Sequence, residues 1–157
     1  MNQRRDCQRV FFVVMLLLVY TCMGCTQKPV PPVNRAPDGL AIKGYDPVAY
    51  FTEGKPLQGL PEYETLWKGA TWRFASDEHR TMFIRSPEQY APRYGGYCAY
   101  AVSQGKTADI DPDAWTIVNN RLYLNLNKDV QGLWDRNRQE YIRKADKNWP
   151  HLAGEGA

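Results

Sequence analysis

Hydrophobic residues along this chain follow two regimes. From Val10 to Tyr20 they run unbroken, and no charge appears between Arg9 and Lys28. From Leu40 onward they come in short bursts separated by turn-forming residues, as in a folded domain. Asp46-Pro47 marks a turn, and Val48–Phe51 reads as a short strand after it. Tyr63–Leu66 and Thr71–Ala75 alternate about Lys68-Gly69, and Trp115–Val118 and Arg121–Asn125 flank Asn119-Asn120, two hairpin signals. Ser76 stands as an N-cap with Asp77 and Glu78 in the first turn, and that helix should end near Arg85, ahead of Pro87. Pro87–Tyr90 begins a second short helix, and Gly95-Gly96 leads into Tyr97–Val102. Val130, Leu133, Trp134, Tyr141 and Ile142 mark one face of a last helix over about Lys128–Lys147. Strands and helices segregate rather than alternate, so the expected class is α+β. The architecture read from this is short antiparallel hairpins with helices packed on one side and a long C-terminal helix, in a single domain over residues 40–150 with a flexible tail at 151–157.

The N-terminal regime carries a different message. Arg4, Arg5 and Arg9 precede the apolar run, and the small residue Gly24 follows it, the order of a secretory signal over residues 1–24. A retained membrane helix is the rival reading of the same uncharged stretch. Cys22-Met23-Gly24-Cys25 resembles a bacterial lipobox, which implies that Cys25 receives acyl chains before cleavage. Cys22 stands where that motif usually has Leu. Several chains on one Cys anchor stably where a single chain is marginal. Thr26 after the Cys resembles lipoproteins sorted to the outer membrane, so the expected location is the bacterial envelope, facing the periplasm. Residues 25–39 hold four prolines and read as an extended tether between lipid and domain.

Composition narrows the function classes. Net charge is +3 over 157 residues, and three of the arginines lie ahead of the apolar run, so the domain is close to neutral. Neutrality without a basic, aromatic-interleaved patch argues against nucleic acid as a partner. Of four cysteines, Cys7 and Cys22 fall in the signal and Cys25 takes the lipid, leaving Cys98 alone without a disulfide partner. The chain has two histidines, no CxxC beyond the Cys22-Met23-Gly24-Cys25 of the signal segment, no Walker motif and no glycine-rich dinucleotide fingerprint, so the parts of the common catalytic machineries are missing. Asp109-Ile110-Asp111-Pro112-Asp113 lacks the Gly and Glu of a calcium loop and reads as a turn ahead of a strand.

Three segments together resemble the exported subgroup of the YHS domain family: Gly44-Tyr45-Asp46-Pro47-Val48-Ala49-Tyr50-Phe51, then Trp72–His79 with Phe83 and Pro87–Tyr90, then Tyr94–Gly105. The resemblance continues through Ala114–Val118 and Leu122–Asn125 to Ala145–Pro150. It implies a small binding domain. The cysteine-bearing branch of that family accompanies copper-transporting ATPases and resembles treble-clef metal modules. Its ligand positions correspond here to Ala49, Ala75 and His79, of which only His79 is a donor. His79, Met82 and Cys98 form the candidate metal set, with copper or zinc as the ion, since imidazole, thioether and thiolate together suit Cu(I). Tyr45, Asp46, Gly95, Gly96, Tyr97 and Cys98 are the candidate contacts for a small ligand, the glycines because they allow close backbone approach to a ligand or to another strand. Cys98, in an aromatic stretch without a basic neighbour in sequence, reads first as a buried inert thiol. The function expected is thus a membrane-tethered, non-catalytic module for a small molecule or transition metal. The alternatives are an interaction module without ligand and a thiol-dependent enzyme using Cys98.

Cys25→Ser should abolish acyl labelling and release the protein from the membrane fraction. Labelling and retention unchanged in that variant would exclude Cys25 as the anchor.

Overall fold

A computed structural model describes residues 28–154, so the signal segment and Cys25 lie outside the described residues. The class is α+β, with six helices around two small antiparallel sheets. Helix α1 spans Ala49–Thr52. Strands β1 (Leu60–Trp67) and β2 (Ala70–Phe74) form the first hairpin. Helices α2 (Asp77–Arg85), α3 (Pro87–Tyr90) and α4 (Ala99–Ser103) follow. Strands β3 (Asp111–Val118) and β4 (Arg121–Asn125) form the second hairpin, and helices α5 (Lys128–Asp135) and α6 (Arg138–Ala153) complete the domain. Among these residues no helix is long and apolar enough to cross a membrane.

Both hairpins close with two-residue turns in which Lys68, Gly69, Asn119 and Asn120 have positive φ, the backbone that matches the twist of the flanking strands. Ser76 caps α2, its hydroxyl accepting from the His79 amide.

The apolar residues form two cores. The first gathers Trp72, Phe74 and Phe83 beneath Trp67, with the Trp72 and Phe83 rings 5.1 Å apart. The second gathers Tyr94, Tyr123 and Trp134 with Tyr141 and Trp149. Helix α4 is wedged between them, contributing Ala101 to the first and Ala99 and Val102 to the second. Its alanines let it approach both sides closely. Asn148 on α6 donates to the carbonyls of Val102 and Ser103, satisfying the end of α4.

Four expectations are corrected. Val48–Phe51 is not a strand but the start of α1, because the Asp46 carboxylate accepts the Val48 and Ala49 amides and so opens a helical turn. The last helix is two: α5 ends at Asp135 and α6 begins at Arg138. That break seats Trp134 on Tyr123 and Tyr141 on Tyr100. The tail also starts later, since α6 continues to Ala153.

The fourth correction concerns the tether. Val30 donates its amide to the Leu152 carbonyl, Asn34 to the Gly95 carbonyl, and Arg35 reaches the Gly69 carbonyl at 2.6 Å. Val33 is 1% exposed and belongs to the first core. Residues 30–36 are therefore a strap laid across the domain. Prolines exclude regular pairing, but the amides of Val30, Asn34 and Ala36 each find a carbonyl, and the side chain that follows the Pro31-Pro32 pair can still be buried.

Val33→Ala should cost about 2 kcal/mol, from two lost methyl groups and the void they leave. Gly95→Ala should lift the strap, because an added Cβ would meet the Pro32 carbonyl oxygen at 2.1 Å. Removing residues 26–36 should lower the melting temperature by several degrees. Thermal melts and limited proteolysis check all three.

Candidate functional site

Two of the sequence-predicted residues, assigned to different sites, meet each other. Asp46 is fully buried at the head of α1, and His79 is nearly so in the first turn of α2. The His79 Nδ1–H donates to Asp46 Oδ2 at 2.6 Å. The same oxygen accepts the Ala75 amide at 2.8 Å, while Oδ1 accepts the amides of Val48 and Ala49. On its other side His79 Nε2 lies 3.2 Å from the Thr52 hydroxyl. Carboxylate, imidazole and hydroxyl in that order form a hydrolase-like relay. Here, however, Thr52 Oγ1 also bonds the Val48 carbonyl inside α1, and neither groove described below is lined by any of the three residues. The constellation acts as a fastening between α1, the end of β2 and α2.

That fastening occupies the ground where the family resemblance looks for a metal. Positions 49, 75 and 79 do converge, but on Asp46: the amides of Ala49 and Ala75 and the ring of His79 all point to its carboxylate. The residues present do not fit a metal ion. Ala49 and Ala75 offer methyl groups, both His79 nitrogens are engaged, and among the described residues no three His, Cys, Asp or Glu side chains gather as a ligand set. Met82 packs against the first core. Cys98 is 1% exposed, and its thiol lies 3.7 Å from Asn125 Oδ1, which also accepts the Tyr100 amide. A thiol so enclosed lacks the exposure of a nucleophile.

The remaining candidates divide. Tyr45 packs against the first core beside Asp46. Gly95 and Gly96 do support close approach, but to the chain itself: Gly95 faces Pro32, and a side chain on Gly96 would strike Ile42. With Tyr94 they form a run of three positive φ values, which the Tyr94 side chain holds in place by donating to the Asp146 carboxylate at 3.0 Å. Burial first, and then that carboxylate, push the Tyr94 hydroxyl far above the usual phenol range, so it remains a donor. Tyr97 packs its ring 6.0 Å from Trp149.

The same run shapes a cleft that the sequence reading missed apart from Gly95. Its volume is about 460 Å³, within the range of small-molecule sites. Pro32, Val33 and Gly95 form one wall, Trp67, Tyr94 and Trp149 supply aromatic surface, and Lys68, Arg93 and Arg121 supply positive charge. Lys68 pairs with Glu88 at 2.9 Å and Arg93 with Asp146 at 2.9 Å. Arg121 has no carboxylate partner among the described residues and donates instead to the Glu88 carbonyl. A more open groove of about 630 Å³ adjoins it, lined by Arg85, Gln89, Asn119 and Asn120, and Glu88 and Arg121 line both. No local signal announces these residues, since they come from both hairpin turns, the 93–95 run and the last helix.

No family model matches the chain, and no curated protein or solved structure is similar enough to match it.

Asp46→Asn should cost about 3 kcal/mol or more, because an amide turns a donor toward one of the amide donors that the carboxylate now accepts. His79→Ala should cost less, about 1–3 kcal/mol, since the backbone donors to Asp46 survive. Urea denaturation of both variants gives the order. A smaller loss for Asp46→Asn than for His79→Ala would show that the histidine, and not the carboxylate, is the centre.

Proposed function

We propose that this chain is an exported lipoprotein of the bacterial envelope, anchored through Cys25 at the outer membrane facing the periplasm. Its YHS-like domain is a non-catalytic binding module for a small anionic ligand. The observation that carries the reading is the 460 Å³ cleft, whose lining brings together Arg121, without a carboxylate partner among the described residues, and the partly exposed rings of Trp67 and Trp149. An unneutralised guanidinium beside flat apolar surface recognises a molecule that is negative at one end and planar or apolar at the other. The convergence of positions 49, 75 and 79 on one point supports the YHS resemblance. The lost donors favour the small-molecule branch of that reading over the copper or zinc branch.

Naphthalene-2-sulfonate, a flat anion, is a suitable probe. It should change the tryptophan emission of the folded protein saturably, and Arg121→Gln should weaken its binding about tenfold, the loss of one charge-assisted hydrogen bond. An unchanged melting curve would show that the variant is folded. Absence of saturable binding to the wild-type protein would end the binding-module reading and leave the interaction-module alternative.

A further inference from the structure

The two grooves that meet at Arg121 differ in chemistry, and the difference has a direction. The aromatic cleft is the one walled by Pro32 and Val33 of the strap, whereas the adjoining groove presents amides and guanidinium, from Asn119, Asn120, Gln89 and Arg85. The strap is first tied down at Val30, five residues after Cys25. Five extended residues span at most about 18 Å. A lipid on Cys25 would therefore lie within about 18 Å of Val30, two residues before the Pro32 that lines the aromatic cleft.

A ligand matched to that order has an apolar part toward the strap, an anion in the middle and a hydrogen-bonding part beyond it. We propose that the two adjoining grooves together take the headgroup of a phosphate-bearing lipid from the membrane to which the protein is anchored, with the phosphate at Arg121, which lines both. The inference rests on the binding-module reading and names its ligand. Arg121 spends one donor on the Glu88 carbonyl, and a guanidinium has five, enough to meet phosphate oxygens in a bidentate fork. Lys68 and Arg93 add a positive field softened by Glu88 and Asp146. Trp67 and Trp149, both partly exposed, are of the residue type that settles at the boundary between headgroups and acyl chains. Asn119 and Asn120, held exposed at the tip of the second hairpin, stand where a polyol or sugar headgroup would extend.

The test titrates the full lipidated chain in maltoside micelles with phosphatidylglycerol, reading tryptophan emission and native mass spectra. Diacylglycerol, which lacks the phosphate, and glycerol 3-phosphate, which lacks the chains, run in parallel. Phosphatidylglycerol should bind saturably and both partial ligands far more weakly. Arg121→Gln and Arg85→Gln should each weaken binding, the former about tenfold, with unchanged melting curves, while Lys106→Gln should leave it unaltered. Diacylglycerol binding as well as the phospholipid would overturn the phosphate assignment, and glycerol 3-phosphate binding as well would make the ligand a free phosphate ester. Unchanged affinity in both arginine variants would remove the groove from the interaction. If phosphatidylglycerol does not bind but naphthalene-2-sulfonate does, the lipid inference falls and the binding module stands. If neither binds, both fall.

Discussion

The buried carboxylate of Asp46 is the constraint around which the domain is arranged. A fully enclosed charge is tolerated only when its lone pairs are met, and Asp46 meets four donors from three separate segments. Two of those donors start α1, one ends β2, and one fixes the first turn of α2. With α1 set, Tyr50 reaches across to donate to the Pro112 carbonyl at 3.0 Å and stands edge-on to Trp115, so the second hairpin is located by the same residue that locates the first. Burial raises the Tyr50 hydroxyl well above the ordinary phenol range, which keeps it a donor in that role.

The second half of the molecule depends on small side chains rather than on charge. Helix α4 is only five residues long, Ala99–Ser103, and could not persist alone in water. It is held because Asn125 accepts the Tyr100 amide at its start and Asn148 donates to carbonyls at its end. Between those clamps, Ala99, Ala101 and Val102 fill the seam between two aromatic cores.

Elements governed by near neighbours were legible in the sequence. Lys68-Gly69 and Asn119-Asn120 announce turns through the backbone they favour, and Ser76 announces a cap. Misreadings arose where a distant residue decides. Val48–Phe51 has the composition of a strand, yet the Asp46 carboxylate makes it helical. The break at Arg136-Asn137 carries neither Gly nor Pro, and the one glycine nearby, Gly132, sits inside α5. Asp46 and His79 were each visible as candidates, but their bond links positions 33 apart and no periodicity reports it. The cleft was hidden for the same reason, since Trp67, Arg93, Arg121 and Trp149 become neighbours only in three dimensions.

The strap gives the molecule a mechanical property. Because Val33 is a core residue and Val30, Asn34 and Arg35 are bonded to three different parts of the surface, a force applied at the N-terminus does not act on a slack leader. It loads the Val30–Leu152 bond first, then draws Val33 from the core, and only afterwards reaches the bonds at Asn34. The strap would thus peel in sequence rather than shear at once, and its early release would open one wall of the cleft while both hairpins remained folded. Tension on the N-terminal end of the strap and the shape of the cleft are coupled through two residues, Pro32 and Val33.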